Sequence, residues 1–537
     1  MKKSRKIIVT ILLMGVMLLA VGSVMFAGGQ KEAAPAGAAA VAGGIRRGGT
    51  ISVAVASPVM MLDPHKVKGE EAYNATFHIF SALTRITSDF GAEPELAERW
   101  EHSADARTWT FYINQNAYFH NGRQVTAEDV KFSLERVLDK EVSPRGWNAI
   151  GPIDKIKVKD KFTVVIELTK TYLDLPVDLG GVYPRIVAKE NIDQIDTNPI
   201  GSGPFKLKKW DPSGVTVLER NDRYFMTGED GQSLPYIDEY RIIPIKENLS
   251  QLAALKSGDI DLVYRVSYDL LSQALLDKKI IIQGTPTLGY HPIVLNLDPK
   301  IYDGQNAAER RVFRNDKLRQ AFSYIINRKA ALKIALGGYG IIGNDQTIPP
   351  FHVYGNPNEK QKTQDIELAK KLLAEAGIAP GTHFKMYTSP GRPGMMELAV
   401  AFKQMAKEAG IVIDIEVIDI SRYWADIEFK EPLMVSNWGG RQTVNACIKP
   451  YYHSEGGKNE SHYSDPELDK VLEQAEGEAD FNKRKELYWK AMEMVSEASA
   501  TIIPYFKNHY MALSQGVRGV AVHPLTYLWV DHGWLIQ

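Results

Sequence analysis

The sequence predicts an α/β protein with more than one packing unit, and three observations lead to this prediction. A helical pattern over residues 395–409 stops at Gly410, and a strand pattern of alternating apolar positions follows at once over residues 411–417. Helix and strand patterns are mixed along the chain, as α/β lobes require. With 537 residues, the chain also exceeds the roughly 250–300 residues that one hydrophobic core organises. We therefore expect several lobes.

Composition and charge restrict the class of function. Hydrophobic residues make up 44% and charged residues 24% of the chain, as is usual for a globular protein. The 64 basic and 65 acidic residues nearly cancel, and no long block of one sign occurs, so we expect no nucleic-acid partner. Because Cys447 is the single cysteine of the sequence, no intramolecular disulfide can form.

The first 29 residues have the pattern of an export signal. Basic residues within positions 2–6 precede an almost wholly apolar stretch at 7–26, and small residues follow at 27–29. We expect cleavage of this signal peptide near Ala27 and a periplasmic protein, located outside the inner membrane. An uncleaved membrane anchor is the alternative, because about 20 apolar residues span a bilayer.

The segment after the signal predicts how the folded body is attached. A lipoprotein needs a cysteine at the cleavage point, and Cys447 lies far downstream, so we expect no lipid anchor. Residues 30–47 are rich in Ala and Gly and have little periodicity, which predicts a flexible linker. Folded structure is expected from about Gly48.

In the first half of the body, strand patterns surround one well-capped helix. Residues 50–55 are predicted to form the first strand, and alternating apolar positions predict strands over 108–113 and 162–168. Between them, Thr126 with Asp129 three residues later has the pattern of a helix cap.

In the second half, further helices are predicted. Apolar residues at helical spacing over 366–376 predict one of them. Asp465 or Ser464 is expected to cap another, with Pro466 near its first position. A third amphipathic helix is expected over 487–495.

Several long motifs are shared with a known family. In these motifs the chain resembles the family 5 extracellular solute-binding proteins, and the resemblance covers nearly all of the mature chain. The motifs are LDPHKVKGEEAYNATFHIFSALTRI from Leu62, AERWEHSADARTWTFYINQNAYFHNGRQVTAEDVKFSL from Ala97, PIGSGPFKLKKW from Pro199, LRQAFSYIINRKAAL from Leu318, AKKLLAEAG from Ala369 and NWGGR from Asn437. This family includes receptors for oligopeptides, dipeptides, glutathione, nickel complexes and opine-like compounds.

The resemblance implies a three-domain, two-lobed periplasmic binding protein fold with the ligand cleft between the lobes. Domain I would combine residues 48–75, 170–280 and 505–537, domain II would span 76–169, and domain III, the second lobe, would span 281–504. The chain would cross the hinge twice. Such a receptor is expected to be a monomer that closes its lobes around a solute and delivers it to the membrane subunits of an ABC permease.

Catalytic and metal-binding motifs offer weaker alternatives. His453 and His462 are too far apart for a compact metal motif, and no HExxH, Cys-rich or GxSxG pattern occurs. The glycines within 337–343 lack the Lys and Ser/Thr of a phosphate loop, and we interpret this segment as a turn. We therefore predict no enzymatic activity, catalytic residue, cofactor or metal site. A nickel or metal-chelate receptor and an exported cleft enzyme stay open as alternatives.

The resemblance also indicates candidate ligand-binding residues. Trp438 corresponds to the tryptophan that lines the ligand cleft of peptide receptors, and Asn437 precedes it in the same motif. Arg392 resembles an arginine that dipeptide receptors place near the ligand carboxylate. A tryptophan of the core and a solvated loop arginine are the alternatives.

Further candidates lie at the two expected crossovers between lobes. Tyr290 and His291 open the segment at the first crossover, and Asn508 follows the second. We expect these residues in the cleft wall. Asp63, in the LDPHK motif, is a weaker candidate, since an aspartate there can simply stabilise its turn by accepting backbone hydrogen bonds.

Arg441 is the informative departure from the peptide receptors. In peptide-binding members, the third residue after the cleft tryptophan is an aspartate that pairs with the α-amino group of the peptide, whereas here it is arginine. A free amino terminus would therefore meet a like charge, and a carboxylate would find a bidentate fork. We expect an anionic solute, such as an opine-like or acylated amino-acid conjugate, a modified peptide or an acidic sugar. Alternatively, Arg441 bonds groups of its own lobe and does not face the solute.

Overall fold

The computed structural model describes residues 44–298 and 313–536 of the chain. The described residues from Ile45 onward form one compact unit. The predicted export signal (1–29) and most of the predicted linker (30–47) lie outside the described residues. None of the helices in this described part is long and apolar enough to cross a membrane.

Strands and helices are mixed along the chain, as predicted. The strands are β1 Thr50–Val55, β2 Thr84–Ile86, β3 Ala92–Pro94, β4 Ala97–His102, β5 Thr108–Ile113, β6 Ile153–Asp160, β7 Thr163–Leu168, β8 Phe205–Lys209, β9 Thr216–Arg220, β10 Glu239–Pro244, β11 Leu262–Val263, β12 Ile280–Tyr290, β13 Ile293–Leu295, β14 Gly340–Ile342, β15 His383–Thr388, β16 Val412–Val417, β17 Leu433–Val435, β18 Thr501–Ile502, β19 Tyr505–Ser514, β20 Val517–Arg518, β21 Ala521–Val522, β22 Leu528–Trp529 and β23 Trp534–Leu535. The α-helices are α1 Glu70–Ile79, α2 Ala127–Leu138, α3 Leu175–Asp178, α4 Asn248–Ser257, α5 Tyr268–Leu275, α6 Asp316–Ile325, α7 Arg328–Leu336, α8 Ile366–Glu375, α9 Met395–Glu408, α10 Ile420–Arg422, α11 Val444–Tyr452, α12 Pro466–Gly477 and α13 Phe481–Ala498. A 3-10 helix spans Lys189–Gln194, and a π-helix spans Tyr423–Ile427.

The largest sheet has eight strands in the order β12-β19-β11-β1-β10-β9-β8, with β14 paired to β19. Its central strand β1 lies parallel to both β10 and β11. Ile51 and Val53 belong to one hydrophobic cluster, and Ala54 belongs to another. Because β1 is covered on both faces, its sequence is a nearly continuous apolar run rather than an alternating one.

The second sheet has five strands in the order β16-β15-β17-β13-β18. Leu398 and Phe402 of α9 pack in one cluster with Ile413 of β16. Gly410, in a left-handed conformation with φ of 87°, reverses the chain between α9 and β16. The predicted sequence of helix, glycine and strand is therefore confirmed, and β16 runs parallel to β15.

The third sheet is antiparallel, with the order β4-β5-β7-β6. Trp109 and Phe111 of β5 are buried together with Val130 of α2. The predicted cap of α2 is confirmed, since the Thr126 N–H donates to Asp129 Oδ2 at 2.9 Å. These contacts explain the alternation seen in the sequence, because only one face of β5 meets the core.

Asp465 rather than Ser464 caps α12, which settles an alternative that the sequence left open. Asp465 Oδ1 accepts a hydrogen bond of 2.9 Å from the Glu467 N–H at the first turn of the helix. Pro466 occupies the first helical position, where a missing N–H costs nothing.

The chain crosses twice between the eight-stranded and the five-stranded sheet. The first crossover joins β12 to β13 through Pro292, and the second joins β18 to β19 through Pro504. β12 pairs with β19 on one side of the crossovers, and β13 pairs with β18 on the other. We call the part built on the eight- and four-stranded sheets the first lobe, and the part built on the five-stranded sheet the second lobe. The three domain ranges stay predictions.

The glycine segment 337–343 differs from the turn that we expected. Gly337 does end α7 in a left-handed conformation, but Gly340–Ile342 forms strand β14 against β19. A Cβ on Gly340 would lie 2.4 Å from the carbonyl oxygen of Phe506. Glycine is therefore required here for close approach to the hinge strand, which closely spaced glycines in a sequence do not distinguish from a turn.

Candidate solute-binding site

Trp438 is joined to the hinge through its backbone. It follows β17, and its N–H and C=O exchange two hydrogen bonds of 3.0 Å with the C=O and N–H of Tyr290, the last residue of β12. The buried Tyr290 ring meets the Phe506 ring of β19 edge-on, with 5.8 Å between the ring centroids. Two predicted site residues, Tyr290 and Trp438, therefore lie together where the lobes join.

The indole ring of Trp438 is half-buried and has little free space behind it. It packs edge-on against Tyr451 of α11, with 4.4 Å between the ring centroids. A void of about 10 Å³ bordered by Tyr290, Trp438 and Tyr452 has room for about one water molecule at most. A solute that touches Trp438 must therefore approach the exposed side of the ring.

Arg441 is half-buried and carries a charge without a carboxylate partner. Its Nη1 donates to the carbonyl oxygen of Gly440 at 3.1 Å. Within residues 44–298 and 313–536 it forms no ion pair. One carbonyl contact supports the alternative that Arg441 bonds only groups of its own lobe. No acidic side chain of the described residues supports it. Most of its five N–H donors stay available.

Glu460 lies buried near Trp438, in surroundings that disfavour its charged form. The Ser436 hydroxyl donates to Glu460 Oε1 at 2.8 Å. Burial raises the pKa of the Glu460 carboxyl well above its usual range, and the charge of nearby Glu428 raises it further. Both effects favour the protonated form of Glu460.

One tyrosine of the first lobe, Tyr527, lies near Arg441 and belongs to a group of three tyrosines. Burial raises the pKa of Tyr527, and the positive charges of Arg185 and Arg441 oppose this rise. The side chains of Tyr73 and Tyr183 are hydrogen-bonded to each other, and Tyr73 and Tyr527 both act on the pKa of Tyr183. These three tyrosines form a group that the sequence did not predict, because they come from separate segments. The one available signal was that Tyr73 lies in the motif beginning at Leu62.

Asn437 is linked to Lys507, a residue that the sequence analysis did not single out. Lys507 lies on β19 directly after Phe506, and its Nζ donates to Asn437 Oδ1 at 2.6 Å. Burial, together with the positive charges of Arg265 and Arg392, lowers the pKa of Lys507 to about 7. Its position at the second crossover, directly before the candidate Asn508, was the signal that could have found it.

His291 and Arg392 lie on the second-lobe side of the hinge. The buried His291 ring has Nδ1 at 3.0 Å from the Tyr505 hydroxyl. Burial lowers the pKa of His291 well below its usual range, and the charge of Lys507 lowers it further, so the ring is neutral. Arg392 is exposed, and its loop reaches the hinge at Gly394, where a Cβ would lie 2.9 Å from His291 Cε1.

Asn508 is held at the hinge mainly by its backbone and has one free polar atom. Its carbonyl oxygen accepts a hydrogen bond of 2.5 Å from the Tyr268 hydroxyl, and its Nδ2 donates to the Tyr510 hydroxyl at 3.2 Å. Its buried Oδ1 has no hydrogen-bond partner within the described residues.

The two lobes are in direct contact beyond the hinge. Asp174 of the first lobe and Arg484 of α13 form two parallel hydrogen bonds of 2.6 Å, and both side chains are buried. Gln442, next to Arg441, donates to Asp178 Oδ1 at 3.0 Å across the same boundary. Both contacts join the first lobe to the second.

A cavity of about 760 Å³ opens between the lobes, with residues of 138–172 on one side and of 443–476 on the other. At its edge, Lys170 Nζ donates to Glu476 Oε1 at 2.6 Å, and Lys449 Nζ donates to Glu476 Oε2 at 2.6 Å. None of the predicted ligand-binding residues lines this cavity. It is a separate feature from the group around Trp438.

The remaining polar candidates have structural partners. Asp63 Oδ1 accepts from the His65 N–H at 3.1 Å, as expected for a turn, and both carboxylate oxygens also pair with Arg136. Cys447 is buried, and burial raises the pKa of its thiol to about 11. Within the part of the chain that the structure describes, no group of three or more His, Cys, Asp or Glu residues could hold a metal ion.

Comparison with known proteins places this geometry in context. The sequence profile of the bacterial extracellular solute-binding proteins, family 5 Middle, matches residues 91–459. The glutathione-binding protein GsiB of Salmonella typhi is 23% identical over 491 residues, which cover 89% of this chain and 92% of GsiB.

Solved structures of the same kind superpose on nearly the whole chain. HbpA2 from Haemophilus parasuis has a TM-score of 0.80 at 22% sequence identity, covering 91% of this chain and 100% of HbpA2. AgaA from A. tumefacien R10, in complex with agropinic acid, has a TM-score of 0.69 at 23% identity, covering 91% of this chain and 99% of AgaA. These similarities show the periplasmic binding protein fold, and identities this low do not determine the ligand.

Proposed function

Because the chain belongs to the bacterial extracellular solute-binding proteins of family 5, we propose that it binds a small anionic solute between its lobes and delivers it to an ABC permease. Proteins of this family bind solutes for ABC transporters and are not enzymes. This proposal adds the sign of the charge on the solute and the residues that bind the charged group.

The observation that carries the proposal is the unpaired guanidinium of Arg441. It is half-buried, it has no carboxylate partner in the described residues, and burial and the charge of Glu428 favour the protonated form of the nearby Glu460. A half-buried cation of this kind is stabilised when a ligand brings the missing negative charge. Trp438 and Tyr527 supply aromatic surface, and Lys507, which is hydrogen-bonded to Asn437, is a second basic residue.

An unmodified peptide fits this arrangement less well. Its amino terminus carries a positive charge, and Arg441 stands at the position where peptide receptors hold an aspartate. Two like charges in a water-poor cleft oppose binding. An acid such as an acylated amino-acid conjugate avoids this repulsion, and agropinic acid, the molecule bound to AgaA, is itself an acid.

Lobe closure is the proposed mechanism of binding. The contacts of Asp174 with Arg484 and of Gln442 with Asp178 support a closed state in which both lobes surround the solute. A solute that bonds to residues of both lobes stabilises the closed state over the open one by its differential affinity. The permease is proposed to read the closed state.

The test is to identify the native solute and then remove Arg441. Mass spectrometry of material released from the purified protein by denaturation is expected to show a compound with at least one carboxylate. Calorimetry with that compound should show about 30-fold or more loss of affinity in Arg441→Ala, because the buried ligand charge loses its partner at a cost of roughly 2–5 kcal/mol. Arg441→Asp should lose more.

A matched control separates charge at the site from charge elsewhere. Arg422 is exposed and pairs with Asp426 on its own helix turn, so Arg422→Ala should bind as the wild type does. Unchanged affinity in Arg441→Ala, or a native solute with only positive charge, would return unmodified peptides to first place.

The proposed location outside the inner membrane has its own test. In a bacterial host, the chain is expected to lose about its first 27 residues, because the basic and apolar segments of residues 1–29 form an export signal. N-terminal sequencing of osmotic-shock fluid measures this. An intact N-terminus on protein that only detergent extracts would favour the membrane anchor.

A further inference from the structure

We propose that the site holds two anionic groups of one solute, one at Arg441 and the other at Lys507, and therefore selects dianionic over singly charged solutes. This inference rests on the proposed function and specifies its solute class. It was not available from the sequence motif around Trp438, because Lys507 lies on a different strand.

Lys507 is placed as a second ligand-binding cation. Its ammonium group has three N–H donors, and its one hydrogen bond in the described residues goes to the neutral amide oxygen of Asn437, at 2.6 Å. No carboxylate of residues 44–298 or 313–536 forms an ion pair with it. Its side chain lies against Gly289, where a Cβ would be 3.0 Å from Lys507 Cε. Glycine at this position thus leaves room for the lysine beside the Trp438 backbone.

The positive charges around Lys507 favour binding of an anion next to it. Arg265 of the first lobe and Arg392 of the second both act on it. Arg265 is paired with Glu70 by hydrogen bonds of 2.7 Å, whereas the exposed Arg392 has no ion pair in the described residues. The neighbouring His291 is neutral. The hinge therefore presents a net positive charge to the space beside it.

The surroundings of Lys507 disfavour its charged form, as its lowered pKa indicates. Burial and the two arginines lower the pKa of Lys507 to about 7, so about half of the molecules carry a neutral amine at neutral pH. A group held in so unfavourable a state is more typical of a functional site than of a structural contact. A carboxylate beside Lys507 would remove the penalty and restore the proton.

Lys507 and Arg441 are connected through one short segment of the chain. Lys507 bonds to Asn437, and Arg441 lies four residues further along the same segment. Four residues span at most about 14 Å even in a fully extended chain. Trp438 and two glycines lie between them, so an aromatic surface and a strip without large side chains connect the two positions.

The test compares dicarboxylates with matched monoacids on the full-length protein, freed of bound solute by reversible denaturation. The probes are the α,ω-dicarboxylates from butanedioate to decanedioate and the monoamide of each, measured by calorimetry. At least one diacid is expected to bind tenfold or more tighter than its monoamide. Lys507→Met should bring this ratio below about threefold, and Lys507→Arg should retain it, because arginine keeps the charge.

Proton uptake gives a readout that a structural role of Lys507 would not move. If a carboxylate restores the charge of Lys507, binding at pH 7 should take up about half a proton per diacid, seen as a dependence of the binding enthalpy on buffer ionisation enthalpy. Lys507→Met and Lys507→Arg should both abolish this uptake. Lys403→Met, which removes an exposed lysine of α9, should keep both the uptake and the ratio.

The outcomes separate this inference from the proposed function. If Arg441→Gln abolishes binding of every acid while Lys507→Met leaves the diacid-to-monoamide ratio unchanged, the second anion position is refuted and the anion receptor stands. If no probe is affected by Arg441→Gln, the proposed function fails as well. A native solute with a single negative charge, or diacids that bind no tighter than their monoamides, overturns the inference.

Discussion

Glu460 shows how a single buried side chain decides the electrostatics next to Trp438. In the structure Glu460 is 3% exposed and accepts a hydrogen bond from Ser436. A second carboxyl group, that of Glu428, lies close to it. Burial and the like charge both favour its protonated form, and the cation of Arg441 stays uncompensated.

Replacing Glu460 by glutamine should therefore change stability in a pH-dependent way. The folded-state pKa of Glu460 is raised above the unfolded value of about 4.3, so its contribution to stability is full at low pH and is lost as the pH rises. The free energy of unfolding of Glu460→Gln, relative to wild type, should rise between pH 4.5 and pH 8, because wild type loses this contribution and the glutamine variant does not.

Urea unfolding followed at several pH values measures this difference. Glu408→Gln, at an exposed position of α9, is the matched control and should give a difference that does not depend on pH. A constant difference for Glu460→Gln as well would mean that Glu460 is ionised in the folded protein and can pair with Arg441.

At the scale of elements, the pairing of β14 with β19 supports the hinge. β14 is short, and Gly340 lies opposite Lys507 in the register. A Cβ on Gly340 would meet the Phe506 carbonyl oxygen at 2.4 Å and Leu332 Cδ1 at 2.8 Å. The approach of β14 to the strand that carries Lys507 therefore depends on glycine.

Gly340→Ala should destabilise the protein and weaken solute binding together. The added methyl group forces β14 away from β19 or distorts β19, at a cost of roughly 1–3 kcal/mol. Gly457→Ala is the matched control, because a Cβ at Gly457 has no atom within 4 Å. Urea unfolding and calorimetry with the identified solute provide the two measurements. Equal stability of both variants would show that β14 adapts and that the hinge does not depend on its position.

At the scale of the whole molecule, the Asp174–Arg484 pair connects the lobes. Both side chains are buried, and Arg484 also donates to the Tyr354 hydroxyl at 2.7 Å and to the Ala475 carbonyl at 3.1 Å. A bidentate arginine–carboxylate pair forms two parallel hydrogen bonds and therefore requires a defined orientation of the two side chains. When the lobes separate, both groups return to water, so the pair acts on the balance between closed and open states.

Asp174→Asn should shift this balance toward the open state. It leaves the Arg484 charge buried without a partner when the lobes close, which costs roughly 3–5 kcal/mol. We expect a larger radius of gyration in small-angle scattering of the solute-free protein, and affinity for the identified solute reduced tenfold or more. Arg484→Met in the same background should recover part of the loss, because it removes the unpaired charge.

Lys170→Met is the control for this experiment. Lys170 also bridges the lobes, to Glu476, but its side chain is half exposed, and exposed ion pairs contribute about 0–1 kcal/mol. Its radius of gyration should match that of the wild type. If Asp174→Asn has the wild-type radius and affinity, the pair does not govern closure.

Local structure was predictable from the sequence because it depends on neighbours along the chain. The Thr126–Asp129 cap, the helix that stops at Gly410 and the alternation in β5 each report interactions over a few residues. Where two segments meet, the same patterns fail. The glycines of β14 looked like a turn, since the strand they accommodate, β19, is more than 150 residues away in sequence.

The sequence by itself determined the family, the α/β class and the spacing that puts Arg441 three residues after Trp438, because each of these is written in consecutive residues. Only the tertiary structure decided which groups share one space. Lys507 meets Asn437 across 70 residues, and Asp174 meets Arg484 across 310. Contacts over such separations, and the burial that lowers the pKa of Lys507 and raises that of Glu460, arise from how the lobes pack, and no periodicity along the chain records them.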